Sequence, residues 1–461
     1  MKLIFVHGWS VTNTDTYGEL PQALASNASN FGLAIDIQHI YLGRYISFHD
    51  EVTVDDIARA MNKALEDLPG NSKNSIQSFA CITHSTGGPV VRHWVERYFG
   101  SERLEDAPLS HLVMLAPANH GSTLAALGKA RVGRIQAWFE GVEPGQRVLD
   151  WLCLGSDGQW ELNKRYLDYD YIDKGFYPFV LTGQGIDHHF YDFLNRYLVE
   201  EGSDGVVRVA GANMNYQYVA LKQNIGNPVS DRDKSYHLEL DGGLICSPEM
   251  AIGVYHDRSH SGKKMGIMRS EPADERVVTD ILDCLRVDDA AAYSARAEVL
   301  KMRTETEQQG KSRYGMLVFN IQDDQGERIK ENDYDLFLLG GNEYQPDDLP
   351  KGFFKDRQMN SKTGRLVYYL DADKMKGIKD GKLGIRVVAR PSSGFSYYAE
   401  AEFHSDGTSL SDVIQPNETT YVDITLHRFV DEKVFRFDPA TDEPKPFDDA
   451  KPSGKPVVND I

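Results

Sequence analysis

A serine at position 85 stands in a sequence that favours an exposed, reactive hydroxyl group. The segment reads Thr83-His84-Ser85-Thr86-Gly87-Gly88 and follows the apolar run at residues 79–82. A sharp turn from a strand into a helix exposes a serine hydroxyl, and it needs small neighbours because the backbone passes close to both elements. Gly87 occupies the second glycine position of the Gly-x-Ser-x-Gly pattern, whereas Thr83 replaces the first glycine. The segment therefore predicts a nucleophilic serine, against the simpler interpretation that Ser85 caps a helix.

A second motif, His7-Gly8-Trp9, follows the first apolar run of the chain at residues 3–6. Attack of a serine on an ester carbonyl creates an oxyanion, which two backbone N–H groups stabilise. We expect these groups to belong to Trp9 and to Thr86, the residue after the nucleophile. Gly8 allows the loop to approach the substrate, and His7 fixes the loop by hydrogen bonding. The alternative is an ordinary strand that ends in a glycine turn.

A serine nucleophile also needs an acid and a base, which one common arrangement supplies in the chain order Ser, acid, His. Asp204 lies in the turn Ser203-Asp204-Gly205-Val206-Val207 and is the preferred acid, with Asp187 in reserve. A turn aspartate also arises for local hydrogen-bonding reasons. His260 has small neighbours that permit a close approach, so it is preferred over His256 as the base.

Together these residues define a mechanism for the hydrolysis of an ester. His260 accepts the proton of Ser85, whose oxygen attacks the carbonyl, while Asp204 orients the imidazole and stabilises its cation. Water then cleaves the acyl-enzyme. We expect no metal and no other cofactor. The segment Asp187-His188-His189 with Asp192 is interpreted as a helix surface, because adjacent histidines rarely point in the same direction.

These residues must be positioned by a sheet, and the sequence alternates short apolar runs with helical patterns up to about residue 285. The candidate strands lie at residues 3–6, 35–41, 76–82, 112–115 and 178–181. Residues 54–68 place Ile57, Met61, Ala64 and Leu68 at helical spacing. Alternating strands and helices predict an α/β fold with a doubly wound, mostly parallel sheet.

Residues 119–173 interrupt this alternation and carry three of the five tryptophans of the chain. They are predicted to form a helical insertion that covers the site as a lid, with ordinary helix core as the alternative. Apolar lid surface can exchange its contact with the core for contact with acyl chains. The cations Lys129, Arg131 and Arg134 would bind a phosphate head group or form a solvated helix face.

The character of the sequence changes after residue 314, where β-rich runs follow one another without helices. These runs lie at residues 315–321, 335–339, 366–370, 383–388, 397–403 and 420–426. The pattern predicts a C-terminal all-β sandwich domain. Six aromatic residues form either its core or an exposed patch that contacts lipid. They are Tyr368, Tyr369, Phe395, Tyr397, Tyr398 and Phe403.

The predicted organisation has two domains, a linker and a tail. An α/β domain takes residues 1–287, a helical linker 288–312 and the β-sandwich 313–437. The tail at 438–461 is rich in Pro, Asp and Lys, and we expect it to be flexible.

Charge and targeting signals limit the classes of partner. Lys and Arg total 50 and Asp and Glu total 69, which gives a formal net charge of −19 and argues against nucleic acid as a partner. From the sequence we expect neither a signal peptide at the N-terminus nor a membrane-spanning segment. We expect a protein that is cytoplasmic as synthesised, with export by a signal-independent secretion system as the open alternative.

The first 285 residues resemble the α/β-hydrolase superfamily, and within it the bacterial lipases and phospholipases. The resemblance rests on residues 7–9, 83–88, 115–122 and 203–207. The third segment resembles the Thr-Pro-x-His-Gly-Ser turn of many lipases, with Ala116 in place of the threonine. The resemblance implies carboxylic-ester hydrolysis on a lipid or another ester. A following β-sandwich is similar to the C-terminal domain by which some lipases engage a membrane surface or a protein partner.

Three hypotheses of function follow. The leading one is a serine hydrolase that acts on lipid-like esters. The second is a phospholipase effector that a secretion system delivers into a rival cell, and the third is a non-catalytic α/β-hydrolase scaffold that binds a partner. The scaffold hypothesis requires that Ser85, Asp204 and His260 are not in register.

Overall fold

The structure is a computed structural model in which most of the chain is described. The described residues are 1–7, 15–47, 49–73, 75–125, 145–186, 200–230, 235–330, 333–390, 395–405 and 413–431. Several predictions fall on other residues: the cations Lys129, Arg131 and Arg134, and the tail at 438–461, lie outside the described part of the chain.

The first sheet has six parallel strands in the order β2-β1-β3-β4-β5-β9. The strands are β1 (Lys2–His7), β2 (Asp36–Tyr41), β3 (Phe79–His84), β4 (Leu109–Leu115), β5 (Tyr177–Gly183) and β9 (Ala251–Tyr255). The central strands are apolar and buried along their length, as expected for a parallel sheet that is covered on both faces. The carboxyl ends of β1 and β3 lead directly into the two candidate site motifs.

Eight helices are defined in the described residues. They are α1 (Leu20–Asn27), α2 (Val54–Glu66), α3 (Gly87–Tyr98), α4 (Gln146–Leu152), α5 (Asp157–Tyr166), α6 (Val209–Ala212), α7 (Glu275–Leu285) and α8 (Ala290–Glu307). Helix α2 begins with a capping box formed by Thr53 and Asp56, and it buries Ile57, Met61 and Ala64. Helix α8 occupies residues predicted as a linker, but it packs on strand β9, where the Thr304 hydroxyl accepts a hydrogen bond from the backbone of Val254.

The second sheet has ten strands and mixed directions. Its strands are β6 (Tyr216–Ser230), β7 (Ser235–Leu240), β8 (Ile245–Cys246), β10 (Tyr314–Asp323), β11 (Tyr334–Gly340), β12 (Phe354–Met359), β13 (Leu366–Asp371), β14 (Leu383–Ala389), β16 (Ala401–His404) and β17 (Thr419–Leu426). The order is β11-β14-β16-β7-β6-β17-β10-β13-β12, with β8 paired to β6. A separate two-stranded sheet joins β15 (Ser396–Tyr398) to β18 (Arg428–Val430).

The ten-stranded sheet contains strands from both halves of the sequence. Strands β6 and β7 precede residue 287, yet β6 pairs with β17 and β7 pairs with β16. The predicted fold class is confirmed in its two parts, a parallel α/β sheet and a β-rich second domain, but the second sheet also takes β6, β7 and β8 from the first part of the chain. The sequence reasoning did not identify β6, which pairs with its neighbour β7 on one side and with β17, about 200 residues away, on the other.

Four of the six predicted aromatic residues belong to the core, because Tyr398 and Phe403, although only partly buried, also pack against it. Tyr368 and Tyr369 are buried, whereas Phe395 and Tyr397 are 48% and 46% exposed. In the predicted lid, Trp160 on helix α5 is buried and packs against the second sheet, so this part of the segment is ordinary core. Among the helices of the described residues, none has the length and apolar character needed to cross a membrane.

Candidate active site

Ser85 lies on the turn between strand β3 and helix α3 with a backbone φ of 54°. A positive φ is unfavourable for a residue that has a side chain, and it persists only where the surroundings enforce it. Here the Ser85 N–H donates to the carbonyl of Leu115 at 3.0 Å, and the Ser85 carbonyl accepts from the N–H of Ala118 at 3.3 Å. The end of strand β4 therefore holds the serine in the geometry of a nucleophile elbow.

The glycines after Ser85 are required by close packing. A Cβ atom on Gly88 would lie 2.8 Å from the Cβ of Pro117, which is closer than such atoms approach. A Cβ atom on Gly87 would lie 3.1 Å from the Cβ of Thr83. Because Gly87 has no side chain, the turn has room for Thr83 at the first glycine position of the pattern.

The imidazole of His260 connects Ser85 to Asp204. Its Nε2 lies 3.0 Å from the Ser85 Oγ, and its Nδ1 lies 2.8 Å from the Asp204 Oδ2. His260 and Asp204 are buried, while Ser85 is partly exposed. The structure therefore brings the three predicted residues together, in a row that leads from a buried carboxylate to a hydroxyl that substrate can reach.

The turn around Asp204 fixes the direction of its carboxylate. Oδ1 accepts hydrogen bonds from the backbone N–H groups of Val206 and Val207, at 2.9 and 2.7 Å. Oδ2 is left to accept from His260, whose own backbone N–H donates to the Asp204 carbonyl at 3.0 Å. A carboxylate held by two backbone donors is well placed to orient an imidazole.

His84, which belongs to the serine motif, contacts His260 rather than Ser85. Its Nε2 lies 2.9 Å from the backbone carbonyl of His260, and the two rings are 4.5 Å apart. A carbonyl only accepts, so Nε2 carries the proton. Burial, and then the neighbouring His260, hold the pKa of His84 well below its usual range. A neutral His84 therefore anchors the loop that carries His260.

The predicted oxyanion hole is described in part. Thr86 is buried and lies immediately before helix α3, whose N-terminus favours negative charge. Gly8 and Trp9 lie outside the described residues. His7 ends strand β1, and its Nε2 lies 2.9 Å from the Nδ1 of His39. Burial, and then His39, lower the pKa of His7 to about 3.

The reserve candidates take no part in this arrangement as far as the structure describes them. His256 is exposed, and its Nδ1 contacts the carboxylate of Glu307. Asp187 and the adjacent histidines lie outside the described residues. His256, Asp257 and Glu307 are close enough together to hold a metal ion, but both carboxylates also pair with Arg276. Those ion pairs account for the cluster.

The turn at residues 119–122, which belongs to the lipase-like pattern, braces the segment that follows Asp204. The Ser122 hydroxyl donates to the carbonyl of Val206 at 2.7 Å. His120 donates from its backbone to the Gly211 carbonyl, and its Nε2 lies 2.7 Å from the Asn213 carbonyl. This motif therefore supports the turn that carries Asp204 from the side of strand β4.

Sequence reasoning missed Arg208, which is buried beside the acid-bearing turn and pairs with Glu200 and Asp356. One signal was available, since Arg208 is a lone charge inside the apolar run 206–212. A charge in such a run requires a buried partner. The identity of that partner could not be deduced, because Asp356 is 148 residues away.

Comparison with solved structures identifies relatives over the whole chain. Phospholipase PlaB from Legionella pneumophila is 45% identical with a TM-score of 0.85, and the match covers 100% of this chain and 99% of that one. The chain belongs to the family of phospholipase PlaB. The Legionella enzyme in complex with thio-NAD matches at 43% identity and a TM-score of 0.83, over 99% of each chain. A scan against protein-family models and a search of curated proteins each found no match.

Membership of this family confirms the predicted class of reaction. The protein is a carboxylic-ester hydrolase of the lipase and phospholipase type, built on an α/β-hydrolase fold. The scaffold hypothesis is not supported, because its requirement that the three site residues be out of register is not met.

Proposed function

We propose that the protein is a phospholipase that uses Ser85, His260 and Asp204 as a catalytic triad and forms an acyl-enzyme. The observation that carries this proposal is the position of His260, which is within hydrogen-bond distance of both other residues. The enzyme would need no metal and no organic cofactor for this chemistry.

In the first step the Nε2 of His260 takes the proton of the Ser85 hydroxyl, while the oxygen attacks the ester carbonyl of the lipid. Asp204 accepts from the Nδ1–H and stabilises the imidazolium. The imidazolium then protonates the leaving alcohol, and the ester bond to it breaks. In the second step His260 takes a proton from water, the resulting hydroxide attacks the acyl-enzyme, and the fatty acid leaves as Ser85 regains its proton.

The oxyanion of each tetrahedral intermediate would accept from the backbone N–H groups of Thr86 and Trp9. Thr86 lies at the N-terminus of helix α3, where the unpaired N–H groups of the first turn carry partial positive charge. Donors that are fixed before the reaction stabilise the developing charge without reorganisation. The same turn would therefore carry both the nucleophile and one of the two oxyanion donors.

A glycerophospholipid is the proposed substrate, and it is supported by one relative named as a phospholipase, for which two structures are solved. Contact with a membrane surface through the predicted lid or the β domain, and a protein partner of the β domain, stay predictions. So do synthesis in the cytoplasm and signal-independent export of an effector.

The test is release of fatty acid from phosphatidylcholine vesicles by the wild type and by Ser85→Ala. We expect wild-type release and a decrease of about 10⁶-fold in the variant, as for removal of the nucleophile in a serine triad. Ser75→Ala, a serine at an exposed position, is the matched control and should behave as wild type. A fluorophosphonate probe should label the wild type and Ser75→Ala but not Ser85→Ala.

Two outcomes would contradict the proposal in different ways. Equal fatty-acid release by the wild type and Ser85→Ala would exclude the serine mechanism. Release from triacylglycerol emulsions but not from phosphatidylcholine would leave the mechanism and change the substrate class to neutral lipid.

A further inference from the structure

The segment that carries Asp204 lies between the two sheets. We call residues 200–208 the acid loop. The loop is closed by a hydrogen bond from the Val209 N–H to the Gly202 carbonyl at 2.9 Å. On one side Asp204 reaches His260, and on the other side the loop contacts strands β10, β12 and β13 of the ten-stranded sheet. The position of the catalytic acid therefore depends on both sheets.

Arg208 makes the main charged contact across this boundary. Its guanidinium donates to both carboxylate oxygens of Glu200, at 2.9 and 2.6 Å, which ties the end of the acid loop to its start. It also donates to the Oδ2 of Asp356 on strand β12 at 2.5 Å. The guanidinium carbon lies 4.1 Å from the ring centre of Tyr369 on strand β13. A bidentate and stacked arginine has one geometry that satisfies all its contacts.

A second set of contacts holds the start of the loop. The Tyr369 hydroxyl donates to the Glu201 carbonyl at 2.9 Å, and the Tyr314 hydroxyl donates to the Glu201 carboxylate at 2.5 Å. The two tyrosine rings stack 5.1 Å apart against Gly202, where φ is +78° and a Cβ would lie 2.2 Å from the Tyr314 ring. Asp204 thus follows two residues after a point at which the backbone is in contact with the second sheet.

Arg208 is buried, with only 1% of its side chain exposed. Burial disfavours its charge, but the carboxylates of Glu200 and Asp356 outweigh this and hold its pKa above the ordinary value. Removal of the guanidinium would leave two carboxylates near one another without their shared cation. Such carboxylates repel each other and draw water, so the loop would move.

From these contacts we infer that Arg208 is a positioning residue for the reaction: with Asp356 and Tyr369 it fixes the acid loop on the ten-stranded sheet and thereby keeps Asp204 at hydrogen-bond distance from His260. This inference rests on the proposed function, since it assigns a role relative to the proposed triad. It gives the β-rich domain an indirect role in the reaction, which it exerts through the position of Asp204.

The chain offers a matched control in a second buried arginine at the same boundary. Arg365 also has 1% of its side chain exposed, donates to Asp157 on helix α5 at 2.8 Å and lies 4.5 Å from the Trp160 ring centre. In the part of the chain that the structure describes, its side chain donates to Asn320, Gly155 and Asp157, none of which belongs to the acid loop. Arg208→Met and Arg365→Met therefore both remove a buried, paired and stacked guanidinium between the sheets. They differ in the segment that this group contacts, which is the acid loop for Arg208 and helix α5 for Arg365.

The experiment measures kcat and KM on a short, soluble p-nitrophenyl ester for the wild type, Arg208→Met, Arg208→Lys, Arg365→Met and Ser85→Ala, together with the thermal midpoint of each. We expect Arg208→Met to lower kcat by about 100-fold, the cost of a displacement of about 1 Å in an active site, with KM changed less than about threefold. Arg208→Lys should recover part of kcat, because it restores one ion pair. Arg365→Met should keep kcat within about threefold of wild type even if its midpoint falls equally.

The inference would be overturned if Arg208→Met and Arg365→Met lowered kcat by the same factor, since the role would then be structural only. If Arg208→Met does not fold, Asp356→Asn keeps the shape and removes one charge of the cluster. We expect it to lower kcat about tenfold, and an unchanged kcat would equally overturn the inference. Failure of the proposed function would give a different result. The wild type would then show either no ester hydrolysis or hydrolysis that Ser85→Ala leaves unchanged.

Discussion

The two ends of the proposed triad are built in different ways. The nucleophile elbow is held by residues from strands β3 and β4 and from helix α3, all within residues 79–118 and within one sheet. The acid loop at residues 200–208 depends on partners that are 113, 148 and 168 residues further along the chain, in a second sheet. The elbow is therefore formed by contacts that are local in sequence. The acid loop takes its position only after the two sheets have packed together.

This difference indicates where substitutions should act on the chemistry and by what route. At the elbow the constraints are steric, because glycines are packed against Thr83 and Pro117 and the serine has a positive φ. At the acid loop the constraints are polar contacts between distant segments. Substitutions at the elbow should displace the nucleophile directly, and substitutions at the boundary between sheets should act through Asp204.

The largest effect in this comparison is expected at the acid itself. Asp204→Asn keeps the size of the side chain but removes the charge that stabilises the imidazolium of His260 and favours the wrong tautomer. We expect kcat for ester hydrolysis to fall by about 10⁴-fold, as the same change does in other serine triads. Steady-state kinetics on a soluble ester measures this loss.

Asp187→Asn is the control for this variant, because the sequence alone leaves Asp187 as the reserve acid. It should hydrolyse the ester at a rate close to that of the wild type. A rate near wild type for Asp204→Asn, with a large loss for Asp187→Asn, would assign the role of acid to Asp187. Residues 200–208 would then have no part in the triad.

A smaller effect is expected from an added methyl group at the elbow. In Gly88→Ala the new Cβ would lie 2.8 Å from the Pro117 Cβ and 3.2 Å from the Met114 Sδ, so helix α3 or the turn must shift. We expect overpacking to cost about 1–3 kcal/mol of unfolding free energy, despite the higher helix propensity of alanine. A displaced Ser85 should lower kcat by about 100-fold.

Gly243→Ala is the matched control, because a Cβ at that position meets nothing within 4 Å. Denaturant unfolding and ester kinetics on the two variants measure both predictions. If Gly88→Ala were as stable and as active as Gly243→Ala, the elbow would not be under the steric constraint that the structure shows.

The same contrast explains what sequence reasoning reached. The three residues that lie together in the structure, Ser85, Asp204 and His260, were predicted because each has small neighbours in the sequence. Strands β1, β3, β4 and β5 were found because a buried parallel strand is an apolar run. Strand β6 was missed, since it carries polar residues along its exposed part and pairs with strand β17 across the predicted domain boundary.

Residues whose role depends on distant partners gave little or no local signal. Arg208 was visible only as a charge in an apolar run, and the choice of His260 over His256 rested on flanking residues alone. The structure separates these histidines by contact, since His260 lies beside Ser85 and His256 lies beside Glu307. Tertiary packing decides such assignments.

The smallest of the predicted effects concerns His120, which lies between the first sheet and the ten-stranded sheet. Its Nδ1 is 2.7 Å from the hydroxyl of Tyr421 on strand β17, and its Nε2 donates to the Asn213 carbonyl. In this arrangement Nδ1 accepts, so the buried imidazole is neutral. Burial, and then the nearby Arg92, lower the pKa of His120 to about 3.

The sign of the pH dependence follows from this lowered pKa. Between pH 3 and about pH 6.5 the unfolded chain binds a proton at His120 and the folded chain does not, so the contribution to stability is complete above pH 6.5 and is lost as the pH falls. At about 1.4 kcal/mol per pH unit, the loss from pH 7 to pH 5 is about 2 kcal/mol for this group. His120→Asn should therefore be less sensitive to this change in pH than the wild type, by about that amount.

Tyr421→Phe is the variant that sharpens this last prediction. It removes the hydroxyl partner and costs about 1 kcal/mol at pH 7, but it keeps the buried imidazole, so its loss of stability from pH 7 to pH 5 should match that of the wild type. His7 and His84 also have lowered pKa values, so His120→Asn should retain part of the pH dependence. Equal pH dependence of the unfolding free energy in His120→Asn and the wild type would mean that His120 is not held neutral. In the contact between His120 and the Tyr421 hydroxyl, Nδ1 would then donate the hydrogen bond instead of accepting it.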